Sequence, residues 1–306
     1  MGCRTHSHPE TTGRQWQSER PMTAMSNRGT GVDSSGPISA VWQANAADIG
    51  LLYSREDGTS GAILRKNETR QPLASSAAIL TSLLPLGDNL LEVTRCGLDH
   101  TLTLRSRSYQ VIASRHWHSQ MKHLLSASLD STEKYILLCT SIFFTGRSKL
   151  ELETVSTTTL ETVPIEVPSL ADEQSCSSIR GCFMHGDEIW RVTDSAIEVI
   201  DGSQTDQPAA RIPLKSTQHL IHRSLGDLCF FAGLDQWIEI ASLTAGTSTV
   251  AMLPPGESFK EPVGMDVLAD GSKILVLVAF RRSNSSECFA HQWSISCDGT
   301  NAVMRF

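Results

Sequence analysis

The chain has 306 residues, 40% of them hydrophobic and 19% charged, enough apolar matter for one large folded domain. Its 33 acidic residues outnumber its 26 basic ones for a net charge of −7, with no block of Lys or Arg, which argues against a nucleic-acid groove and an electrostatic membrane anchor. No apolar run approaches the roughly 20 residues that a membrane helix needs; the longest is Ile274–Phe280.

Residues 1–36 are rich in Ser, Thr, Gly, Arg and His without periodicity, and read as a disordered tail ahead of a folded unit over 37–306. Met1, Met22 and Met25 are all candidate starts. Met1-Gly2-Cys3 opens like a myristoylation site, but His6 stands where Ser or Thr is needed. There is no signal-peptide core. None of the eight cysteines sits in a C-x-x-C pair. Cys139 and Cys229 fall inside apolar strand patterns and read as small core residues. Cys288 and Cys297 share one extended segment; at roughly 3.3 Å per residue they lie about 30 Å apart, too far to bond. A reduced, cytoplasmic protein is the expectation.

The first unit, Pro37–Ala74, predicts strands over Ile38–Trp42, Ile49–Tyr53, Ala62–Arg65 and Thr69–Leu73, with Pro72 placing the last at an edge. The second, Ala78–Arg115, has strands at Leu80–Leu84, Leu90–Thr94, Thr101–Arg105 and Tyr109–Ala113. Leu102 and Leu104 alternate there as in a half-buried antiparallel strand. A helix over Ala74–Leu84 is the rival reading. The third unit, Leu124–Val167, carries Tyr135–Cys139, apolar on both faces, and an edge strand Leu160–Val167 containing Pro164. Pro168–Ser177 is a long connection. Units over Ile179–Leu214, His219–Leu253 and Val263–Phe306 repeat the arrangement.

What ties the units together is a recurring strand, tight turn, strand. Phe183–Val192 is the best copy, with relatives at Leu84–Val93 and Arg223–Ala232. The turn aspartates Asp48, Asp88, Asp130, Asp187, Asp227 and Asp270 are spaced 40, 42, 57, 40 and 43 residues apart. A period near 40–45 residues with four strands per unit predicts an all-β propeller of four-stranded antiparallel blades. Six self-contained blades fit best, with a seven-bladed ring or an open solenoid as alternatives. The strands Gln236-Trp237-Ile238-Glu239-Ile240 and Gln292-Trp293-Ser294-Ile295 resemble the tryptophan-bearing third strand of WD40-type blades. That family's Gly-His start and Trp-Asp end are missing. The resemblance implies a rigid disc whose face and channel bind proteins or small ligands.

No P-loop, dinucleotide fingerprint, serine-hydrolase elbow or H-E-x-x-H is present. His116, His118 and His123 form the densest histidine group outside the tail and are weak metal candidates; the competing reading is a loop in which Trp117 packs on a neighbouring blade. Loops between second and third strands should share one face. They carry Arg55, Arg95, Arg147, Arg281 and Arg282 on one arc, and Asp194 and Asp235 on another. These arginines, with Trp117, are the candidate contacts for a protein partner bearing acidic groups. The expected function is a non-enzymatic interaction scaffold without cofactor. The alternative is a propeller-type metal-dependent hydrolase or lactonase with its site in the central channel.

Overall fold

In the computed structural model the strands form six antiparallel sheets, five of four strands and one of three, each built from consecutive strands. It describes residues 38–305 apart from 55–59, 67–68, 77, 97–98, 118–121, 145–146, 165–178, 201–209, 216–218, 235–236, 253–258, 283–287 and 298–303. The expected tail, 1–36, lies outside the described residues.

The first sheet holds β1 (Ile38–Gln43), β2 (Ile49–Ser54), β3 (Ser60–Lys66) and β4 (Thr69–Ser76). The second holds β5 (Ile79–Leu86), β6 (Asn89–Cys96), β7 (Asp99–Ser106) and β8 (Val111–His116). The third holds β9 (Lys122–Leu129), β10 (Tyr135–Phe144) and β11 (Arg147–Ser156). The fourth holds β12 (Ile179–His185), β13 (Glu188–Thr193), β14 (Ala196–Val199) and β15 (Arg211–Pro213). The fifth holds β16 (His219–Leu225), β17 (Leu228–Gly233), β18 (Trp237–Ser242) and β19 (Thr247–Met252). The sixth holds β20 (Phe259–Asp270), β21 (Lys273–Arg282), β22 (Cys288–Cys297) and β23 (Met304–Arg305). Cys288 and Cys297 thus sit at opposite ends of one strand, as their spacing implied.

Side chains alternate between the two faces of a strand, and here each face has its own neighbouring sheet. Phe230 and Ala232 pack on Met265 and Val276 of the sixth sheet, while Phe231 and Cys229 pack on Phe183 and Trp190 of the fourth. On β21, Val276 and Val278 serve the fifth sheet, and Leu277 and Ala279 serve the first. On β10, Ile136 and Leu138 face the second sheet, and Leu137 and Cys139 face the fourth. Ala40, Trp42 and Leu52 meet Leu83, Leu90 and Tyr109 at the junction of the first and second sheets. Every junction between neighbouring sheets therefore has its own apolar cluster, and the ring closes from the sixth sheet back to the first. Each buried Leu, Val or Phe contributes roughly 1.5–3 kcal/mol of transfer free energy, so the junctions rather than the single sheets hold the fold. The chain is a β-propeller, with five four-stranded blades and one three-stranded blade among the described residues.

The rival helix over Ala74–Leu84 is not what forms: among the described residues Ala74, Ser75 and Ser76 end β4, and Ile79–Leu84 lie in β5, as the strand reading had it. Adjacent Leu83 and Leu84 face opposite sheets, a requirement with period two that a helix cannot meet. One expectation needs correction: among the described residues the third sheet has no fourth strand over the expected Leu160–Val167, of which 165–167 lie outside them. After β11 the chain doubles back at Leu160, which has φ 60°, and makes one bridge from Thr162 to Val155. Amide bonds from Ser156 to Glu161 and from Val163 to Thr154 extend that contact briefly.

The tight turns explain the repeated Gly-Asp. Gly87, Gly186 and Gly226 each occupy the first place of a two-residue turn with φ of 52°, 61° and 55°. That is left-handed backbone, which glycine adopts without strain. Asp88, Asp187 and Asp227 follow in equivalent places. In the sixth sheet the turn is Gly271-Ser272, so Asp270 marks the repeat two residues early. Asp48 and Asp130 belong to longer turns, the first held by Asn45 Oδ1 accepting from the Ala47 and Asp48 amides.

Asp227 ties its turn to the next one in the same sheet. It accepts from Ser242 Oγ at 2.7 Å and from the Thr244 amide at 2.7 Å. Partial burial raises its carboxyl, but the bonds from Thr244 and Ser242 outweigh this and hold it below the usual carboxylate range. The stability so gained is present above the ordinary Asp value and is lost as pH falls through the depressed one. Asp227→Asn is expected to cost about 1 kcal/mol at pH 7, and the gap from the parent protein should close in urea unfolding as pH falls below the ordinary Asp value.

Candidate functional site

Six inner strands surround the axis: β1, β5, β9, β12, β16 and β20. Each runs from the face carrying the second-to-third-strand loops, here the loop face, to the opposite turn face. Near the turn face the axis holds a buried polar knot. Arg107 projects from the turn after β7 and donates through Nη1 and Nη2 to Asp266 on β20, at 2.5 and 3.2 Å. The same guanidinium donates to the carbonyls of Gln43 at 2.5 Å and Gly87 at 2.7 Å. Asp266 Oδ2 also accepts the Gln43 amide at 2.6 Å, and the Gln43 side chain donates to Leu275 O at 3.1 Å. Trp42 Nε1 donates to Arg107 O at 2.9 Å. Three sheets, the first, second and sixth, meet at one ion pair whose members are almost wholly buried.

A similar device joins the third and fourth sheets, whose inner strands lie edge to edge. Ser126 Oγ accepts the Cys182 amide and donates to the Cys182 carbonyl, both at 2.8 Å, and Ser128 Oγ accepts the Met184 amide at 2.9 Å. Gly181 permits this approach: a Cβ there would lie 2.6 Å from both His222 Cε1 and Ser126 Oγ. A hydrogen bond to the Cys139 thiol, and then burial, push the Cys182 thiol up, and burial does the same to Cys229. Thiols held in this way are core groups and not nucleophiles.

Around the axis on the turn face lies a cavity of about 410 Å³. The ends of β5, β9, β12, β16 and β20 all contribute to it, with Ser126, Ser128, His185, His222, Arg223 and Asp266 as its main polar lining. Arg223 donates from Nε to Met265 O at 3.1 Å and from Nη1 to His222 O at 2.7 Å. Burial lowers its pKa to about 10, partly offset by the charge of Asp266, so the guanidinium stays charged at neutral pH.

The described candidates of the loop face differ in their surroundings. Arg95 is exposed at the end of β6, register partner of Ile79, which is 43% exposed. Arg281 is half-buried and paired with Glu261 at 2.9 Å. Arg147 begins β11, and Arg282 ends β21. Arg55 lies outside the described residues, as does Asp235; Asp194 is paired with Arg180 at 2.6 Å. Trp117 is corrected from a contact residue to a core residue. It is 5% exposed, packs in the cluster between the second and third sheets, and meets His100 edge-on. Of the histidines, His116 ends β8, His123 lies on β9, and both are exposed; His118 lies outside the described residues. Among the described residues no group of three or more His, Cys, Asp or Glu could hold a metal ion. Arg107, Asp266, Gln43 and Arg223 carry most of the axial chemistry, and none was a sequence candidate. A lone Asp in the apolar run Val263–Leu268 was the one readable signal.

No protein-family model matches the chain, and no curated protein is similar to it in sequence. Its fold resembles those of solved propellers. The WD40 propeller domain of Doa1 shares 13% identity, with 83% of this chain and 92% of that one covered and a TM-score of 0.46. The WD40 domain of Toxoplasma gondii coronin shares 11%, with 88% and 72% covered and a TM-score of 0.44. Raptor from Chaetomium thermophilum shares 10%, with 86% of this chain covered and a TM-score of 0.45. This chain spans about a quarter of the Raptor chain's length, 24%.

Removing one member of the axial pair strands the other. Arg107→Met is expected to cost about 3–5 kcal/mol in urea unfolding, because Asp266 is left buried and uncompensated. Adding Asp266→Asn to that variant should recover part of the loss, since the amide carries no charge and its oxygen can still accept from the Gln43 amide.

Proposed function

We propose that this protein is a non-enzymatic interaction scaffold of the cytoplasm that holds a protein partner on its loop face. The observation that carries the reading is the exposed pair Ile79 and Arg95, directly opposed across β5 and β6 at the rim of that face. An apolar side chain beside an Arg is the composition of an interface anchor: one buries area while the other pairs with a carboxylate. Leu220, 48% exposed near the start of β16, adds a second apolar group on the same side of the ring. The partner that fits offers an acidic group beside an apolar one. Ring closure by six apolar junctions supports the reading, because anchors on a rigid frame lose little freedom on binding.

The test is affinity capture from the native cell with quantitative mass spectrometry. Ile79→Asp with Arg95→Glu should lower recovery of the main partner at least about tenfold. Val111→Ser with Ile112→Ser, on the outer strand β8, should leave it unchanged. Full retention of every partner by the first variant would defeat the proposal.

A further inference from the structure

We propose that the turn-face cavity binds a small oxyanion, a carboxylate or a phosphate, through Arg223 and Ser128. Among the described residues Arg223 has no carboxylate in ion-pair range. Its two protein bonds go to backbone carbonyls, which fix the guanidinium and leave Nη2 without a partner among the described residues. Arg107, by contrast, is fully engaged by Asp266, Gln43 and Gly87. Ser128 is 4% exposed and accepts the Met184 amide, so its own proton is available to an acceptor in the cavity. A planar fork and a hydroxyl lining the same cavity suit the oxygens of a carboxylate or phosphate.

The acidic groups nearby do not cancel this. Asp266 is neutralised by Arg107, and both its oxygens are occupied. Asp130 is turned into its own loop, bonded to Thr132 and to the Tyr135 amide. Glu133 is exposed at the rim, where water and salt screen it. The volume of about 410 Å³ suits a ligand of metabolite size rather than a peptide segment. The site lies on the turn face, so this inference stands whether or not the loop face carries a partner.

The probes are succinate and inorganic phosphate, titrated separately into the full chain by calorimetry. One of them should bind with 1:1 stoichiometry, and which one identifies the class of oxyanion. Arg223→Gln and Ser128→Ala should each weaken binding about tenfold or more, while Lys149→Gln, exposed on β11, leaves it unchanged. A second measurement uses the unaltered protein, in case a variant fails to fold. Phenylglyoxal should modify Arg223, and the bound anion should protect it, as mapped by peptide mass spectrometry. Absence of binding by both anions, binding undiminished in Arg223→Gln, or unprotected modification would each overturn the proposal.

Discussion

The ion pair of Arg107 and Asp266 sits where the ring has to meet itself. Each sheet is made of consecutive strands, and among the described residues no strand is shared across the junction of the first and sixth sheets. The apolar cluster there has Val41, Ile49, Leu51, Leu277 and Ala279 buried. The cluster between the second and third sheets has twelve buried members. Among the described residues, the seam that closes the ring thus has the fewest buried apolar side chains. Arg107 supplies what is missing from a third sheet, crossing from the second to bind both sides of the seam. A buried pair of this kind gives little net stability over an apolar filling, yet it dictates geometry. Asp266 accepts the Gln43 amide only in one register of β1 against β20, and Gly264 lets β20 approach to where a Cβ would sit 3.0 Å from the Val41 amide. The pair therefore selects the closed ring over a slipped or open one.

The same logic shows why the strands were legible and the site was not. A strand whose two faces pack on different sheets has to be apolar throughout, and Tyr135–Cys139 and Ile274–Phe280 display that in sequence. A two-residue turn that needs positive φ leaves Gly-Asp at Gly87-Asp88, Gly186-Asp187 and Gly226-Asp227. Where the turn changes, the marker drifts, as it does at Asp270, and where the last strand dwindles to a bridge, as after β11, alternation overstates it. These are local rules, and local sequence carries them.

The polar knot follows no local rule. Arg107 and Asp266 are 159 residues apart, and Gln43 and Asp266 are 223 apart. Nothing in Ser106-Arg107-Ser108 separates a buried arginine from a solvated turn residue. The loop-face arginines show the converse limit. Shared topology puts Arg95 and Arg281 on one face, but whether each is available depends on its register partner. Arg95 stands opposite Ile79, while Arg281 stands opposite Glu261 and is paired to it. Trp117 illustrates a third limit. It follows an exposed strand end, yet it turns inward because the gap between the second and third sheets needs filling beside Leu124 and Leu160.

The two proposed sites lie at opposite ends of the same inner strands. β5 begins at Ile79 on the loop face and ends at Leu86 beside the cavity. β16 begins near exposed Leu220 and ends past Arg223. Between those ends, near the axis, Ser126, Gly181 and His222 pack so closely that a single added methyl group would collide with two of them. Strands locked by such contacts do not slide, and the ring's six apolar junctions leave no loose sheet to tilt. Coupling between the two faces would need an element with two arrangements, and the contacts among the described residues favour one. The fold is built to display two faces at fixed separation, with the buried arginine at the seam keeping them in register.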